Sequence, residues 1–184
     1  MNFKDNIKTI FPELSSPKIS RAQALLTKLA VDKAIHGKNQ IAYVLATVMW
    51  ETDETFKPIP ELGKGKGYKY GIPDPITRHT YYGRGYEQLT WKEAYAKYSK
   101  LLGVDLVNNP DLLTTDLDLA YKSLVLSMTG QDPTGKKLDD YINDTTCDFF
   151  NARRIINPGE VTIKRLNIRA NKIVALAERF LKVI

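Results

Sequence analysis

The sequence predicts a mainly α-helical protein that folds as one domain and carries a long, loop-rich segment near its middle. Three observations predict this fold class. A length of 184 residues fits one domain, five or six segments repeat apolar residues at the helical spacing i, i+3, i+4, i+7, and glycines and prolines concentrate between residues 56 and 90. A chain of this length buries about 70% of the surface that it exposes when unfolded. We therefore expect a single domain over residues 1–184.

Two helices are predicted before the loop-rich segment. Ser20 and Gln23 match a capping box at a helix start, and His36-Gly37 matches a helix end. Asn39 is the predicted cap of a second helix, which ends near Trp50-Glu51-Thr52. The buried faces predicted for the two helices are Ala22, Leu25, Leu26, Leu29 and Ala30, and then Ile41, Val44, Leu45, Val48 and Met49.

The segment between residues 56 and 90 is predicted as loop with at most a short hairpin. Its glycines and prolines disfavour long helices and strands. A loop this long inside a compact domain is usually functional or disordered, and its several aromatic residues indicate order. We therefore interpret it as one wall of a cleft.

Further helices are predicted after this segment. Thr90 with Glu93 matches a second capping box, and that helix is expected to stop at Gly103. Asn109-Pro110 has the order of a helix start. Thr115 is predicted to open a helix that ends at Gly130. The chain closes with a long helix whose apolar face is Leu166, Ala170, Ile173, Ala177, Phe180 and Ile184.

The composition excludes several classes of protein. A single cysteine, Cys147, excludes an internal disulfide framework, and two histidines make a zinc enzyme an unlikely class. We expect no metal and no cofactor. The first residues lack the apolar core of a signal peptide and no apolar run reaches the length of a membrane span, so we expect synthesis in the cytosol and no membrane insertion. The net charge of +6 fits a polyanionic partner.

Glu51 is the first candidate catalytic residue. Its helical position lies at the edge of the apolar stripe of the second helix, where a carboxylate loses solvation. Burial favours the neutral form, which suits a general acid, although an ordinary surface glutamate would fit the same pattern. Glycosidic hydrolysis needs a second carboxylate, and the nearby acids Asp53, Glu54, Glu61 and Glu87 all remain candidates on spacing alone.

Four strings of residues together resemble glycoside hydrolase family 19. They are Trp50-Glu51-Thr52, the run Tyr81-Tyr82-Gly83-Arg84-Gly85-Tyr86-Glu87-Gln88-Leu89-Thr90-Trp91, Asn108-Asn109-Pro110-Asp111-Leu112, and Arg153-Arg154-Ile155-Ile156-Asn157. The resemblance runs from about residue 40 to the C-terminus. Within the family, the sequence is most similar to the single-domain, chitinase-like endolysins of bacteriophages and prophages. It implies a lysozyme-like helical fold in two lobes, a sugar-binding cleft, and cleavage of β-1,4 links with inversion and without a metal or cofactor.

The resemblance also implies roles for individual residues. Glu51 matches the general acid, although Trp50 stands where plant chitinases have histidine. Glu61 is the best match to the base that activates water. The substrate-binding matches are Tyr82, Arg84, Gln88, Thr90, Asn151 and Arg154, with Arg154 replacing an asparagine of the family and Asn151 offering an amide in its place. Arg84 is also predicted to keep Glu61 ionised.

The function expected from the sequence is an endolysin that hydrolyses bacterial peptidoglycan as a muramidase and lyses the host. Such a protein would act as a monomer, stay in the host cytoplasm until a separate pore-forming protein releases it, and bind no nucleic acid. Two alternatives remain: a chitinase acting on chitin oligomers, and a non-catalytic cell-wall sugar-binding protein on the same fold.

Overall fold

The computed structural model describes residues 3–131 and 133–184, and these form a mainly helical fold. The described α-helices are α1 (Phe3–Ile10), α2 (Ser16–Val31), α3 (Gly37–Glu51), α4 (Lys92–Leu102), α5 (Leu112–Thr115), α6 (Leu117–Met128), α7 (Phe149–Ala152), α8 (Gly159–Thr162) and α9 (Asn167–Leu181). Short 3-10 turns lie at Lys69–Gly71, Leu138–Asp140, Arg153–Ile155 and Lys164–Leu166. The predicted fold class is confirmed. None of these helices is long and apolar enough to cross a membrane.

The chain divides into two compact units. The first comprises residues up to Phe56 together with Ser127–Ile184, and the second comprises Lys57–Leu126. The prediction of a single domain over the whole chain stays a prediction.

The first unit is organised around α3. Every residue from Ala42 to Met49 is buried, so α3 is enclosed on all sides, as expected for a helix that is apolar around most of its circumference. Helix α9 packs along it with the face that the sequence predicts, since Ala170, Ile173, Ala177 and Phe180 are all buried. Because α3 cannot shift without disturbing this packing, its C-terminal residue, Glu51, has a well-defined position.

The second unit contains the loop-rich segment and its own core. The core is formed by Tyr81, Leu89, Ala94, Tyr95, Tyr98, Leu106, Leu113 and Leu119. Two short strands, β1 (Ile59–Pro60) and β2 (Arg84–Gly85), pair antiparallel. The prediction of loop with at most a short hairpin between residues 56 and 90 is therefore confirmed, whereas its role as a cleft wall stays a prediction.

Several predicted helix starts are wrong by up to one turn. Helix α2 begins at Ser16, because Pro17 is well tolerated in a first helical turn, so Ser20 and Gln23 lie inside the helix instead of capping it. It ends at Val31, before the predicted end at His36-Gly37. Helix α3 begins at Gly37, two residues before the predicted cap at Asn39.

The predicted start of α4 is wrong for a different reason. Thr90 does not cap this helix, since its hydroxyl donates to the backbone oxygen of Gln88 at 2.9 Å and Trp91 occupies the N-cap position. The predicted stop is confirmed: Gly103 has the left-handed φ of 67° that glycine adopts without strain.

The starts of α5 and α6 also differ from their predicted positions. Asp116, and not Thr115, caps α6, because its Oδ1 accepts from the backbone N–H groups of Asp118 at 3.0 Å and Leu119 at 2.9 Å. Helix α5 begins at Leu112, after the predicted Asn109-Pro110. Helices α1 and α8 were not predicted.

Candidate functional site

Glu51 is the last residue of α3, and its carboxylate belongs to a chain of buried charges. Oε1 accepts from Nη2 of Arg153 at 2.5 Å, and Nε of the same guanidinium donates to Oε2 of Glu160 at 2.7 Å. Arg153 and Glu160 are almost fully buried, while the Glu51 side chain keeps 15% of its surface exposed. We call these three residues the buried triad. One arginine therefore links two carboxylates, of which only Glu51 has access to solvent.

Burial raises the pKa of the Glu51 carboxyl, and the positive charge of Arg153 offsets part of that rise. The neutral form that a general acid needs is thus favoured, as the position at the edge of the apolar stripe suggests. The fully buried Tyr43 and Thr47 precede Glu51 at intervals of four residues on α3, so they share its helix face and keep water from that side. The preceding Trp50 contacts Lys172, whose ammonium lies 5.4 Å from the centre of the indole ring.

Glu61, the predicted base, lies in the second unit directly after β1. Its Oε1 accepts from the Tyr70 hydroxyl at 3.0 Å, and its Oε2 accepts from the Gly83 N–H at 3.2 Å. Its backbone N–H also donates to the Gly83 oxygen at 2.7 Å. The β1–β2 pairing therefore holds Glu61 at both its backbone and its carboxylate, with part of the side chain exposed.

Arg84 does not hold Glu61 in the way the sequence suggests. It is 3% exposed, and its Nε donates to Oδ1 of Asp111 at 2.7 Å. Nη1 donates to the Tyr95 hydroxyl at 3.1 Å, and the guanidinium stacks 3.7 Å from the centre of the Tyr82 ring. Arg84 and Tyr82 thus form a buried structural pair, and the hydrogen bonds described for Glu61 come from other groups.

Gln88 stabilises the turn that carries the motif. Its amide nitrogen donates to the backbone oxygens of Ile59 at 3.0 Å and Gly85 at 3.2 Å, which ties together the two strands beside Glu61. Gln88 has a φ of 59°, a conformation that costs free energy in residues other than glycine. The Thr90 hydroxyl donates to the backbone oxygen of Gln88, so the two predicted sugar-binding residues stabilise each other.

The side chains of Asn151 and Arg154 contact each other. The Asn151 amide donates to Asp148 at 2.7 Å and accepts from Nε of Arg154 at 3.0 Å. Sequence reasoning selected Arg154 and missed the adjacent Arg153, together with Glu160. The available signal was a pair of opposite charges, Arg153 and Glu160, within a segment of apolar residues.

The other candidate acids differ in environment. Glu54 is exposed and pairs with Lys18 at 3.2 Å. Glu87 is 3% exposed and accepts a hydrogen bond from the Ser123 hydroxyl. Asp53 is exposed. Of these acids, Glu61 combines partial exposure with two donors fixed by the fold.

A separate pocket of about 340 Å³ lies at the opposite end of α3 from Glu51. Its lining includes His36, Gln40 and Asp139. The Gln40 amide is satisfied there by Asp139 at 2.8 Å and by the Ile142 oxygen at 2.7 Å. Among residues 3–131 and 133–184, no group of three or more potential metal ligands comes together.

Comparison with known proteins supports the fold described above. The family model for class I chitinases, glycoside hydrolase family 19, matches residues 63–147. A solved bacterial family 19 chitinase superposes with a TM-score of 0.69 and 24% identity, covering 98% of this chain and 93% of that one. The chain has the fold of a family 19 chitinase. The family model matches less than half of the chain, and the structural likeness shows the fold.

Two curated plant relatives match part of the chain. An endochitinase of Theobroma cacao is 50% identical over 54 residues, which is 29% of this chain and 17% of that protein. A basic endochitinase of Vitis vinifera is 34% identical over 111 residues, which is 52% of this chain and 35% of that protein. The matches thus span about a third or less of these relatives.

Proposed function

We propose that the chain is an inverting glycoside hydrolase that cleaves β-1,4 links between N-acetylhexosamine units, with chitin-like chains as substrate. The observation that carries the proposal is the Glu51 carboxyl, whose pKa burial raises and whose orientation Arg153 fixes. The fold of a family 19 chitinase and the class I chitinase match support the same reaction.

In the proposed reaction, Glu51 donates its proton to the glycosidic oxygen as the bond to the anomeric carbon breaks. Glu61 accepts a proton from a water molecule, and that water attacks the anomeric carbon from the opposite face. The product has the inverted anomeric configuration, and no covalent glycosyl-enzyme forms.

The hydrogen bonds of Glu61 support its role as the base. Donation from Tyr70 and Gly83 to its two oxygens fixes the orientation of the carboxylate that would accept the proton from water. Glu54 lacks this arrangement, since it lies exposed in an ion pair with Lys18. Glu87 is nearly inaccessible to water.

Peptidoglycan is the second candidate substrate, because the net charge of +6 favours adsorption to an anionic cell wall. In that case the protein is an endolysin that remains in the host cytoplasm until a pore-forming protein releases it. The chitinases among its relatives favour chitin. Both glycans have β-1,4-linked N-acetylhexosamine backbones, so the catalytic groups are the same.

The test incubates purified protein separately with chitin oligomers and with peptidoglycan, then analyses the products by mass spectrometry and the anomer by proton NMR. The variants Glu51→Gln and Glu61→Gln should each lose hydrolysis while remaining folded. The matched control Glu54→Gln, in which the exposed carboxylate is neutralised, should keep full activity.

The outcomes discriminate among the functions. Chitin fragments with the inverted anomer support the proposal, and fragments from peptidoglycan alone identify the endolysin. Full activity of Glu51→Gln contradicts the catalytic assignment. Binding of either glycan without cleavage identifies a non-catalytic sugar-binding protein.

A further inference from the structure

Three aromatic side chains of the second unit form a continuous row on its surface. The rings of Tyr68 and Tyr70 stack with centroids 5.1 Å apart and an interplanar angle of 5°. The ring of Trp91 meets Tyr70 edge-on at 5.2 Å, with an angle of 82°. Tyr68 is 60% exposed and Trp91 is 49% exposed. We call these three residues the aromatic row.

Folding stability does not explain why Trp91 is there. Its φ of 79° is an outlier for a bulky residue and costs free energy that a glycine would not. Its backbone is held in this conformation by donation from its N–H to the Tyr81 oxygen at 2.9 Å. In spite of this cost, about half of the Trp91 surface remains exposed to water. Strained backbone that displays an exposed aromatic ring is typical of a binding surface.

The central residue of the aromatic row contacts the proposed base. The Tyr70 hydroxyl donates to Glu61, so one residue belongs both to the row and to the hydrogen bonds that hold the carboxylate. Burial, together with the hydrogen bond to Glu61, raises the pKa of Tyr70 to about 12, so the hydroxyl remains a donor at neutral pH. The next residue along the chain, Lys92, forms an ion pair with Asp74 at 2.6 Å.

We propose that the aromatic row binds the N-acetylhexosamine rings of the polysaccharide that is cleaved at Glu61. This inference rests on the proposed function and specifies where the glycan chain lies. The C–H groups on one face of a pyranose ring carry partial positive charge, and they are attracted to the negative face of an aromatic ring. The exposed rings of Tyr68 and Trp91 are therefore the proposed contacts for the glycan, on either side of Tyr70, which contacts Glu61.

The experiment measures binding of a chitin hexasaccharide by isothermal titration calorimetry to the Glu51→Gln variant, which keeps the ligand intact. Adding Tyr68→Ala or Trp91→Ala to that variant should raise the dissociation constant about tenfold, the size expected for loss of one stacking contact. Trp91→Phe should restore most of the affinity, because a flat ring remains. The matched control is Ile76→Ala, which removes an 83% exposed apolar side chain of the same unit outside the row.

A second measurement follows the fluorescence emission of Trp91. The chain contains two tryptophans, so Trp50→Phe leaves Trp91 as the only indole. Its emission should shift to shorter wavelength when the hexasaccharide binds, since stacking removes water from the ring. If Trp91→Ala fails to fold, the exposed Tyr68 and this emission signal decide the question.

The inference and the proposed function fail in different ways. If the wild-type protein cleaves chitin but the row variants bind as tightly as their parent and Trp91 emission stays constant, the aromatic row is not a sugar site. If the wild-type protein binds without cleaving and the row variants lose affinity, the sugar site stands and the hydrolase does not.

Discussion

Removal of Arg153 tests whether the buried triad supports both the fold and the candidate acid. Arg153→Met keeps the length of the side chain but removes its charge and its donors. The carboxylates of Glu51 and Glu160 then lose a partner that lies 2.5 Å and 2.7 Å away in the native protein. Because Arg153 is 1% exposed, water cannot take its place without opening the fold.

The expected loss of stability is large. Breaking a buried ion pair by removing one partner costs about 3–5 kcal/mol, since the remaining charge is left buried and uncompensated. Typical domains have a free energy of unfolding of about 5–15 kcal/mol, so the variant should lose a substantial fraction of its stability. For a chain of this size, the melting temperature should fall by roughly 6–20 °C.

The assay is urea unfolding followed by circular dichroism at neutral pH, together with thermal melts. Arg154→Met is the matched control. That change removes the same group one residue along, where the guanidinium is partly exposed and bonds to Asn151, so it should cost less than about 1 kcal/mol. Equal losses for the two variants, or a loss below about 1 kcal/mol for Arg153→Met, would refute the reasoning.

The pH dependence has a definite sign. Glu51 has a raised pKa when folded, so the folded state binds more protons than the unfolded state, and stability falls as pH rises between the two pKa values. Arg153 lowers the pKa of Glu51, so the Arg153→Met variant should have a still higher value. Its stability should therefore continue to decrease up to a higher pH than that of the wild-type protein, and the difference between them should shrink in acid.

Three further predictions concern the acid and the second unit. If Glu51 is the general acid, kcat should fall as pH rises through its raised pKa, and activity should extend to higher pH than an ordinary glutamate allows, as a pH profile of hydrolysis would reveal. Tyr95→Phe should cost about 1–3 kcal/mol in urea unfolding, because its buried hydroxyl bonds to Arg84 at 3.1 Å and to the Tyr82 oxygen at 2.8 Å. Gly71→Ala should destabilise the loop and increase its cleavage in limited proteolysis, because the added Cβ would lie 2.0 Å from the Gly65 oxygen.

Each of these three has a result that contradicts it. If kcat instead declined at the pH where an ordinary carboxyl loses its proton, the raised pKa of Glu51 would not determine the pH dependence of hydrolysis. Unchanged stability of Tyr95→Phe would mean that its hydroxyl bonds add nothing net. For the glycine, Gly159→Ala is the control, since its Cβ meets its nearest neighbour at 3.4 Å; equal proteolysis of the two variants would reject the predicted clash.

The helical class and much of the core were predictable because helical periodicity is a local property. The buried face of α9 follows directly from the spacing of its apolar residues, whereas α3 is buried on all sides. Helix starts were harder to predict, because a Ser or Thr followed three residues later by Gln or Glu occurs both at caps and inside helices. Ser20 lies inside α2, and Thr90 bonds to Gln88 instead of capping α4.

The candidate acid was also predictable, since a carboxylate at the edge of an apolar stripe is expected to lose solvation. Its ion-pair partner, Arg153, was not predictable from the sequence. Arg153 and Arg154 are adjacent and chemically identical, and only packing decides that one is buried against Glu51 while the other lies partly exposed beside Asn151. In the same way, the sequence suggested that Arg84 would hold Glu61, but the fold pairs Arg84 with Asp111.

The sequence by itself therefore determined the mainly helical class, the loop-rich centre and the position of Glu51, because each depends on residues close together in the chain. The tertiary structure decided which charges pair, which donors hold Glu61 and which aromatic rings remain exposed. Those features depend on contacts between residues distant in the chain, such as Glu51 and Arg153. Burial and distance, which set the strength of each such contact, exist only once the chain has folded.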